Sequence, residues 1–385
     1  MLIKEWYKYL SKKQQMLLFS TILLMVIIVV AGYIIAPPSQ EKKEFGYSTE
    51  MSMKELAPRL GVTGKALAKE LKLPLDAPKI KPLKALGVTD EQLNHVVEHL
   101  LSHVDTTVKY YIYGALSLGG LIYLLMLGIP ENAPAGKRRF NYLPVIYTLF
   151  MLASVIFTGF MLGKSPNPME GIVKVFKSMV GLYPDPFNKV KAFLFFIILA
   201  IIGNKIICGW ACPMGALQEL IYKLPLFKKV KNKKLSFVLI NTIRTGIFII
   251  MLFFLFGIIG GKKGMVIYHY INPFNLFDME FELASILIAV IVILVLSFFM
   301  YRPFCQFICP FGFVSWIAER ISIFRIRVDK EKCTECGACI KACPLEAAKG
   351  RVKGKIAPAD CFSCARCLNI CPVDAVKYGS IFRKS

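Results

Sequence analysis

Two copies of one cysteine run near the C-terminus restrict this chain more than any other feature. Cys333-x-x-Cys336-x-x-Cys339-x-x-x-Cys343-Pro344 is followed by Cys361-x-x-Cys364-x-x-Cys367-x-x-x-Cys371-Pro372. A [4Fe–4S] cube needs four thiolates converging on four irons. Three closely spaced cysteines wrap three corners from one loop, and in this spacing the fourth cysteine of each run reaches the other cube. The runs therefore predict one cube on Cys333, Cys336, Cys339 and Cys371, and a second on Cys361, Cys364, Cys367 and Cys343. Each fourth cysteine is expected to start a short helix. Zinc runs carry two close ligands per half, and a disulfide framework gives no reason for eight cysteines at this spacing. Two cubes in so short a stretch lie close together, which suits one-electron relay. Thiolates held for metal also imply a reducing compartment.

The rest of the chain is apolar in long runs. Of 385 residues 56 % are apolar, above the usual globular level. Runs of spanning length cover 16–36, 110–129, 143–162, 192–207, 237–259 and 283–301. The first is too long for a signal-peptide core and reads as an uncleaved anchor. The expected architecture is a polytopic α-helical membrane protein of about six spans, built on a duplicated two-span unit. A small helical extracytoplasmic insert and a C-terminal α+β two-[4Fe–4S] ferredoxin domain complete it. The domains are an anchor (1–36), the insert (37–108), a membrane domain (109–324) and the ferredoxin (325–385). The net charge of +23 suits contact with anionic membrane lipid. No nucleic-acid module is visible. With six spans, the clusters at 137–139 and 228–234 fall on the side of the ferredoxin, and the positive-inside rule makes that side cytoplasmic.

The four remaining cysteines sit in a second repeat. An Asn-Pro loop, an apolar run and then Cys-x-x-x-Cys-Pro-x-Gly occurs with Cys208 and Cys212, and again with Cys305 and Cys309. Both motifs are expected at the cytoplasmic membrane surface. Duplicated membrane folds place shared sites between their halves. At i, i+4 both sulfurs of a pair face one side of a helix. The two pairs together make a possible S4 site for iron, zinc, Cu(I) or a small cluster. Redox dithiols and buried packing cysteines are the alternatives. Lys205 and Arg244, near span ends, read as snorkelling cations or as contacts for a quinone or lipid head group.

In the insert, Thr89 and Gln92 form a capping box that opens a helix running to about Val104. Leu60-Gly61-Val62-Thr63 is echoed by Leu86-Gly87-Val88-Thr89, each ahead of a helical pattern. His95, His99 and His103 share one face of the later helix and are candidate metal ligands, with a plain polar face as the alternative. His95-x-x-Glu98-His99 matches a zinc-protease pattern, but the insert is too small to build a protease cleft around it.

Taken together, Cys208-Gly209-Trp210-x-Cys212-Pro213-x-Gly215, the second Cys305-x-x-x-Cys309-Pro310-x-Gly312 and the C-terminal double run resemble the polyferredoxin-like membrane proteins of the NapH/NosR type. The resemblance covers about 140–380. It implies electron transfer between a quinone pool or cytoplasmic donor and a membrane or periplasmic reductase. It also implies a metal or redox role for Cys208, Cys212, Cys305 and Cys309. The expected cofactors are two [4Fe–4S] clusters, a possible further metal or Fe–S centre at those four cysteines, and possibly quinone. The expected partners are membrane lipid and a redox partner protein or reductase complex. The expected location is a bacterial or archaeal cytoplasmic membrane, multi-pass, with the ferredoxin in the cytoplasm. Two other functions stay open: a metal-handling assembly factor that reduces copper or iron, and a redox-sensing regulator. No attachment motif for covalent FMN is present, and the insert is foreign to the NapH pattern.

Overall fold

A computed structural model describes residues 12–35, 46–60, 64–74, 77–101, 106–127, 143–181, 186–227, 231, 234–259, 265–279, 281, 283–354 and 359–382. The basic clusters at 137–139 and, except for Lys231 and Lys234, at 228–234 lie outside them. The first apolar run forms helix α1 (Lys12–Ile35), 24 residues long.

The insert is a small helical unit with its own core. Helices α2 (Met53–Arg59) and α3 (Gly64–Glu70) precede a 3-10 turn at Leu83–Leu86 and helix α4 (Asp90–Leu101). Met53, Leu56, Leu67, Leu83, Leu93 and Val97 are packed together out of solvent. The capping box is made as expected. Gln92 N–H donates to Thr89 Oγ1 at 3.2 Å, and Thr89 N–H donates to Gln92 Oε1 at 3.3 Å. Gly87 closes the 3-10 turn at φ 81°, a left-handed conformation that glycine adopts without steric cost. The second copy of the echoed motif thus leads into α4, while residues 61–63 of the first lie outside the described residues.

Helices α5 (Thr106–Met126) and α6 (Leu143–Ala153, continued as a π-helix over Ser154–Met161) run antiparallel. Lys109 at the start of α5 donates to the Leu162 and Gly163 carbonyls at the far end of α6. The first repeat then supplies α7 (Pro168–Met179), α8 (Pro186–Gly203), a π-turn at Ile207–Ala211 and α9 (Pro213–Lys223). The second supplies α10 (Phe237–Phe256), a 3-10 segment at Pro273–Asp278, α11 (Ala284–Ser297), α12 (Pro303–Phe307) and α13 (Pro310–Ala318). The Asn-Pro pairs do the same work in both. Asn167 accepts from Glu170 N–H and Asn272 from Phe274 N–H, each as N-cap with proline at the first helical position.

Every predicted apolar run carries a helix. Among the described residues three helices are long and apolar enough to cross a membrane: 108–126, 144–161 and 237–256. Helices α8 and α11 are apolar but shorter, because the chain leaves the helix before the cysteines. Asn204, Lys205 and Arg302 adopt left-handed backbone at φ 54°, 61° and 47°. Val238 on α10 and Ile288, Ile291 and Val292 on α11 point away from the protein. Apolar surface that continuous is stable against hydrocarbon, not water.

The C-terminal unit pairs β1 (Phe324–Val328) antiparallel with β2 (Val376–Ser380), in register from Phe324↔Ser380 to Val328↔Val376. Between them lie α14 (Ala338–Ala342), α15 (Ala347–Val352) and α16 (Arg366–Ile370). Ile323 N–H donates to the Ile201 carbonyl at 3.0 Å, tying this unit to α8.

Candidate iron–sulfur and buried thiol sites

All twelve cysteines are free thiols. The two runs fold as crossed loops. Cys371 acts electrostatically on Cys339 together with Cys333 and Cys336, while Cys343 and Cys339 act on Cys367 together with Cys361 and Cys364. The fourth cysteine of each run thus lies near the other run. Cys343 and Cys371 do not start helices, however: they terminate α14 and α16. Pro344 and Pro372 follow them, and the residue before proline is driven out of helical backbone. Cys339, Cys343, Cys361, Cys364 and Cys367 line one hollow whose other walls include Ile326, Val328, Leu345 and Val376. A sulfur-lined space with apolar walls fits an iron–sulfur cube. The two runs differ in exposure. Cys336 reaches solvent, whereas Cys361 and Cys367 are buried.

They are buried because the second run sits on the first Cys-x-x-x-Cys turn. The Trp210 indole N–H donates to the Ser363 carbonyl at 3.1 Å, and Asn204 Nδ2 donates to the Cys361 carbonyl at 3.2 Å. The Ser363 hydroxyl donates back to the Asn204 carbonyl at 2.8 Å. Gly209 has to be glycine, since a Cβ there would run into the Phe362 carbonyl oxygen. The Cys-Gly-Trp sequence is therefore a docking surface.

Buried ion pairs close the seam. Asp360, next to the run, takes both Lys205 and Arg244, the latter at 2.9 Å. All three side chains are excluded from solvent. Lys205 and Arg244 therefore neither snorkel nor face a lipid; they anchor the ferredoxin-like unit. Glu219 on α9 accepts from Arg302 at 2.6 Å, from Arg366 at 2.7 Å and from the Tyr301 hydroxyl at 2.6 Å. Burial alone would raise Glu219, but Arg302 and Arg366 outweigh it and hold the carboxyl at about 2. Glu319 accepts from Arg351 at 2.7 Å and from Cys361 N–H at 3.2 Å. There burial dominates over Lys205 and Arg351, and the carboxyl rises to about 7.

Cys208, Cys212, Cys305 and Cys309 are all buried, and the two pairs converge. Cys305 acts electrostatically on Cys208, Cys212 acts on Cys305, and both members of the first pair act on Cys309. In each motif the second cysteine N–H reaches back five residues, Cys212 to the Ile207 carbonyl at 2.8 Å and Cys309 to the Phe304 carbonyl at 2.9 Å. That wider turn stacks the two sulfurs of a pair more nearly in line than an α-helix would. Gln218 Nε2 lies 3.5 Å from Cys305 Sγ, and Gly312 N–H donates to Cys309 Sγ at 3.4 Å. Four thiolates in this space need a cation among them, and the all-sulfur donor set suits a soft metal or an iron–sulfur centre. Among the described residues no three His, Cys, Asp or Glu side chains gather as closely as a single ion demands. A multi-iron cluster holds its sulfurs farther apart.

The first motif packs against the side of α5 and α6. The Ala211 carbonyl, beside Cys212, accepts from Ser154 at 2.6 Å and Thr158 at 3.0 Å, well inside the α6 π-segment. Trp210 packs against Gly120 within α5 and on Phe150. Apolar runs count residues, and the run into Cys208 does not register the left-handed break at Asn204–Lys205 that turns the chain back into the bundle.

His95 is exposed on α4, His99 follows one turn later, and His103 lies outside the described residues. Sequence reasoning missed Asp360, Glu219, Glu319 and Ser363. One signal was available: Lys205 and Arg302 each stand three residues before the first cysteine of their motif.

Apolar helices, a sulfur-lined double run and a second buried set of thiols define a membrane-associated iron–sulfur protein. Sequence comparison agrees. A 4Fe-4S binding domain profile matches residues 192–234 and 283–330, covering both Cys-x-x-x-Cys repeats, and a 4Fe-4S dicluster domain profile matches 325–372. An uncharacterized protein of Methanocaldococcus jannaschii is 31 % identical over 199 residues, 52 % of this chain and 72 % of that protein. The ferredoxin-type protein NapH of Haemophilus influenzae is 26 % identical over 42 % of this chain and 55 % of its own. The regulatory protein NosR of Stutzerimonas stutzeri is 29 % identical over 38 % of this chain and 20 % of its own. No solved structure matches. The chain belongs to the polyferredoxin-like iron–sulfur proteins of the NapH/NosR type, and its role is electron transfer.

Proposed function

We propose that this protein is a multi-pass membrane component that carries electrons between a cytoplasmic donor or quinone pool and a membrane or periplasmic reductase, with the ferredoxin-like unit in the cytoplasm. One observation carries the reading: the loop holding Cys361, Cys364 and Cys367 is seated directly on the turn holding Cys208 and Cys212, through Trp210, Gly209 and Ser363. Two [4Fe–4S] clusters, when bound, supply one-electron storage. The chain's part is to order the sites. Cys336 at the surface marks the entry from solvent, the second run with Cys361 and Cys367 buried follows, and the four inner thiols, buried as well, come last. Water is excluded along the seam by Phe362, Tyr301 and Trp210. In this reading Cys208, Cys212, Cys305 and Cys309 hold a further iron–sulfur or metal centre inside the bilayer. That placement shortens the gap to the far face relative to a site at the cytoplasmic surface. An assembly factor that passes copper on needs accessible thiols, and the seated loop covers these.

The test is pre-steady-state. Membranes containing the protein are reduced with dithionite, and reoxidation of the ferredoxin-like clusters by a lipid-soluble quinone is followed optically. Cys208→Ser and Cys305→Ser are expected to slow that step by an order of magnitude or more while the iron of the double run stays in place. Unchanged reoxidation in both variants would remove the inner thiols from the path.

A further inference from the structure

The buried charges at the seam do not balance. Lys205 and Arg244 share Asp360, Arg302 and Arg366 share Glu219, and Arg351 pairs one to one with Glu319. Among the described residues the seam thus sets five cations against three carboxylates, a surplus of two positive charges with every carboxylate ionised. Seven of these eight side chains are at most 5 % exposed, and Arg366 is 25 % exposed. Charge held out of water without a counter-charge is strongly disfavoured, so the surplus calls for an anion in the same interface. Its position says which one. Arg351 and Arg366 line the same hollow as Cys343, Cys361, Cys364 and Cys367, and Arg366 stands between Cys364 and Cys367 in the chain. On the inner side Arg302 donates to the Cys208 carbonyl and, at 3.1 Å, to the Gly209 carbonyl, while Lys205 donates to the Gly312 carbonyl at 3.4 Å. The first run has a different setting. Lys330, Lys332, Lys341, Glu331 and Glu335 around it are all exposed, where water and salt screen them.

We propose that this surplus raises the reduction potential of the second cluster, on Cys361, Cys364, Cys367 and Cys343, above that of the first, so that electrons run inward from Cys336 to the seam. The inference rests on the reading above that the double run holds two clusters and passes electrons. A cube held by four thiolates is anionic and takes a further negative charge when reduced. Two effects then compete at the second run. Burial by itself disfavours the more negative, reduced state, whereas buried cations favour it. The cations are in excess and share the same dry space, so their field is little screened. In the step one electron leaves the first cluster and reduces the second; no bond forms or breaks and no proton moves. Arg366 and Glu219 ligate nothing. They are positioning residues whose charges set where the electron rests.

The experiment compares purified full-length protein with Arg366→Gln, Arg366→Lys, Glu219→Gln and Cys336→Ser, by iron content and EPR-monitored redox titration. Cys336→Ser alters the signal of the exposed first cluster and so marks it. The unaltered signal is expected to have the higher midpoint in the parent. In Arg366→Gln that midpoint should fall, the reduced-to-oxidised ratio at fixed potential dropping roughly tenfold, equivalent to about 59 mV for a one-electron couple. Arg366→Lys keeps the charge and should keep the midpoint. Glu219→Gln removes a negative charge and should move the midpoint the opposite way, which a merely loosened structure would not do. If Glu219→Gln fails to accumulate, the two Arg366 variants decide the matter by themselves. A parent whose second cluster titrates below the first overturns the inward order. Equal shifts in Arg366→Gln and Arg366→Lys, or none in either, overturn the role of the charge and leave the two clusters standing. A parent with the iron of a single cube overturns the reading of the double run, and the inference with it.

Discussion

Lys205 and Arg302 hold the same post in the two repeats. Each precedes the first cysteine of its motif by three residues, each takes left-handed backbone at φ 61° and 47°, and each buries its charge on a carboxylate. The carboxylates are not equivalent. Arg302 meets Glu219 from within the helical bundle, whereas Lys205 meets Asp360 from the ferredoxin-like unit. One arm of the duplication thus braces the bundle and the other grips the docked unit.

Asp360→Asn should release that grip. It leaves Lys205 and Arg244 buried without a counter-charge, and removing one partner of a buried pair costs about 3–5 kcal/mol. The expected outcome is faster proteolysis of the 319–330 connection and a lower unfolding midpoint in detergent, with the iron of the double run retained. Protease resistance equal to the parent's would mean the pair is not what holds the seam.

Gly209→Val tests the contact from the other side. Its side chain would have to displace the Phe362 carbonyl, which breaks the Trp210 to Ser363 hydrogen bond next to it. The tryptophan emission of the variant should shift to the red as Trp210 becomes wetter, and electron passage to the inner thiols should slow. An unshifted spectrum would show that the loop accommodates the methyls in place.

Glu319 predicts a pH dependence in the unusual direction for a carboxylate. Its folded value, about 7, lies above its ordinary 4.5, so the folded state binds more protons between those values. Stability then falls as pH rises from about 4.5 through about 7, by on the order of 3 kcal/mol when complete. Chemical denaturation of the detergent-solubilised protein from pH 5 to 8 should show this slope, and Glu319→Gln should flatten it. A slope that survives in the glutamine variant would have another source.

In the insert, Thr89→Ala removes the capping hydroxyl and with it one of the two reciprocal bonds to Gln92. The expected cost is about 1 kcal/mol. Amide exchange should speed up along α4 only, with the iron–sulfur spectra unmoved. Exchange that rises in α5 and α6 as well would couple the insert to the bundle.

Much of this could be read from the sequence because the signals are local. The capping box at Thr89 and the Asn-Pro pairs at 167 and 272 each rest on residues a few positions apart. The seam could not be read in the same way. Lys205 and Asp360 are 155 residues apart and Arg244 and Asp360 are 116 apart, so nothing local links them. An apolar run says where residues are greasy, not where Asn204 and Arg302 turn the backbone over. The fourth cysteine of each run was expected to open a helix, when the proline after it makes it the residue that ends one.

The spread of the first motif along α6 has an electrical consequence. Gly209, against Phe362, accepts from Tyr147, whereas Ala211, beside Cys212, accepts from Thr158 further along the same helix, so on the proposed topology an electron passing from Phe362 to Cys212 travels partway through the transmembrane field. A full crossing is worth about 2.3 kcal/mol per 100 mV for each elementary charge. Part of that work would fall on this one step. The protein would then act as a voltage-sensitive resistor in its circuit, its current rising or falling as the membrane charges.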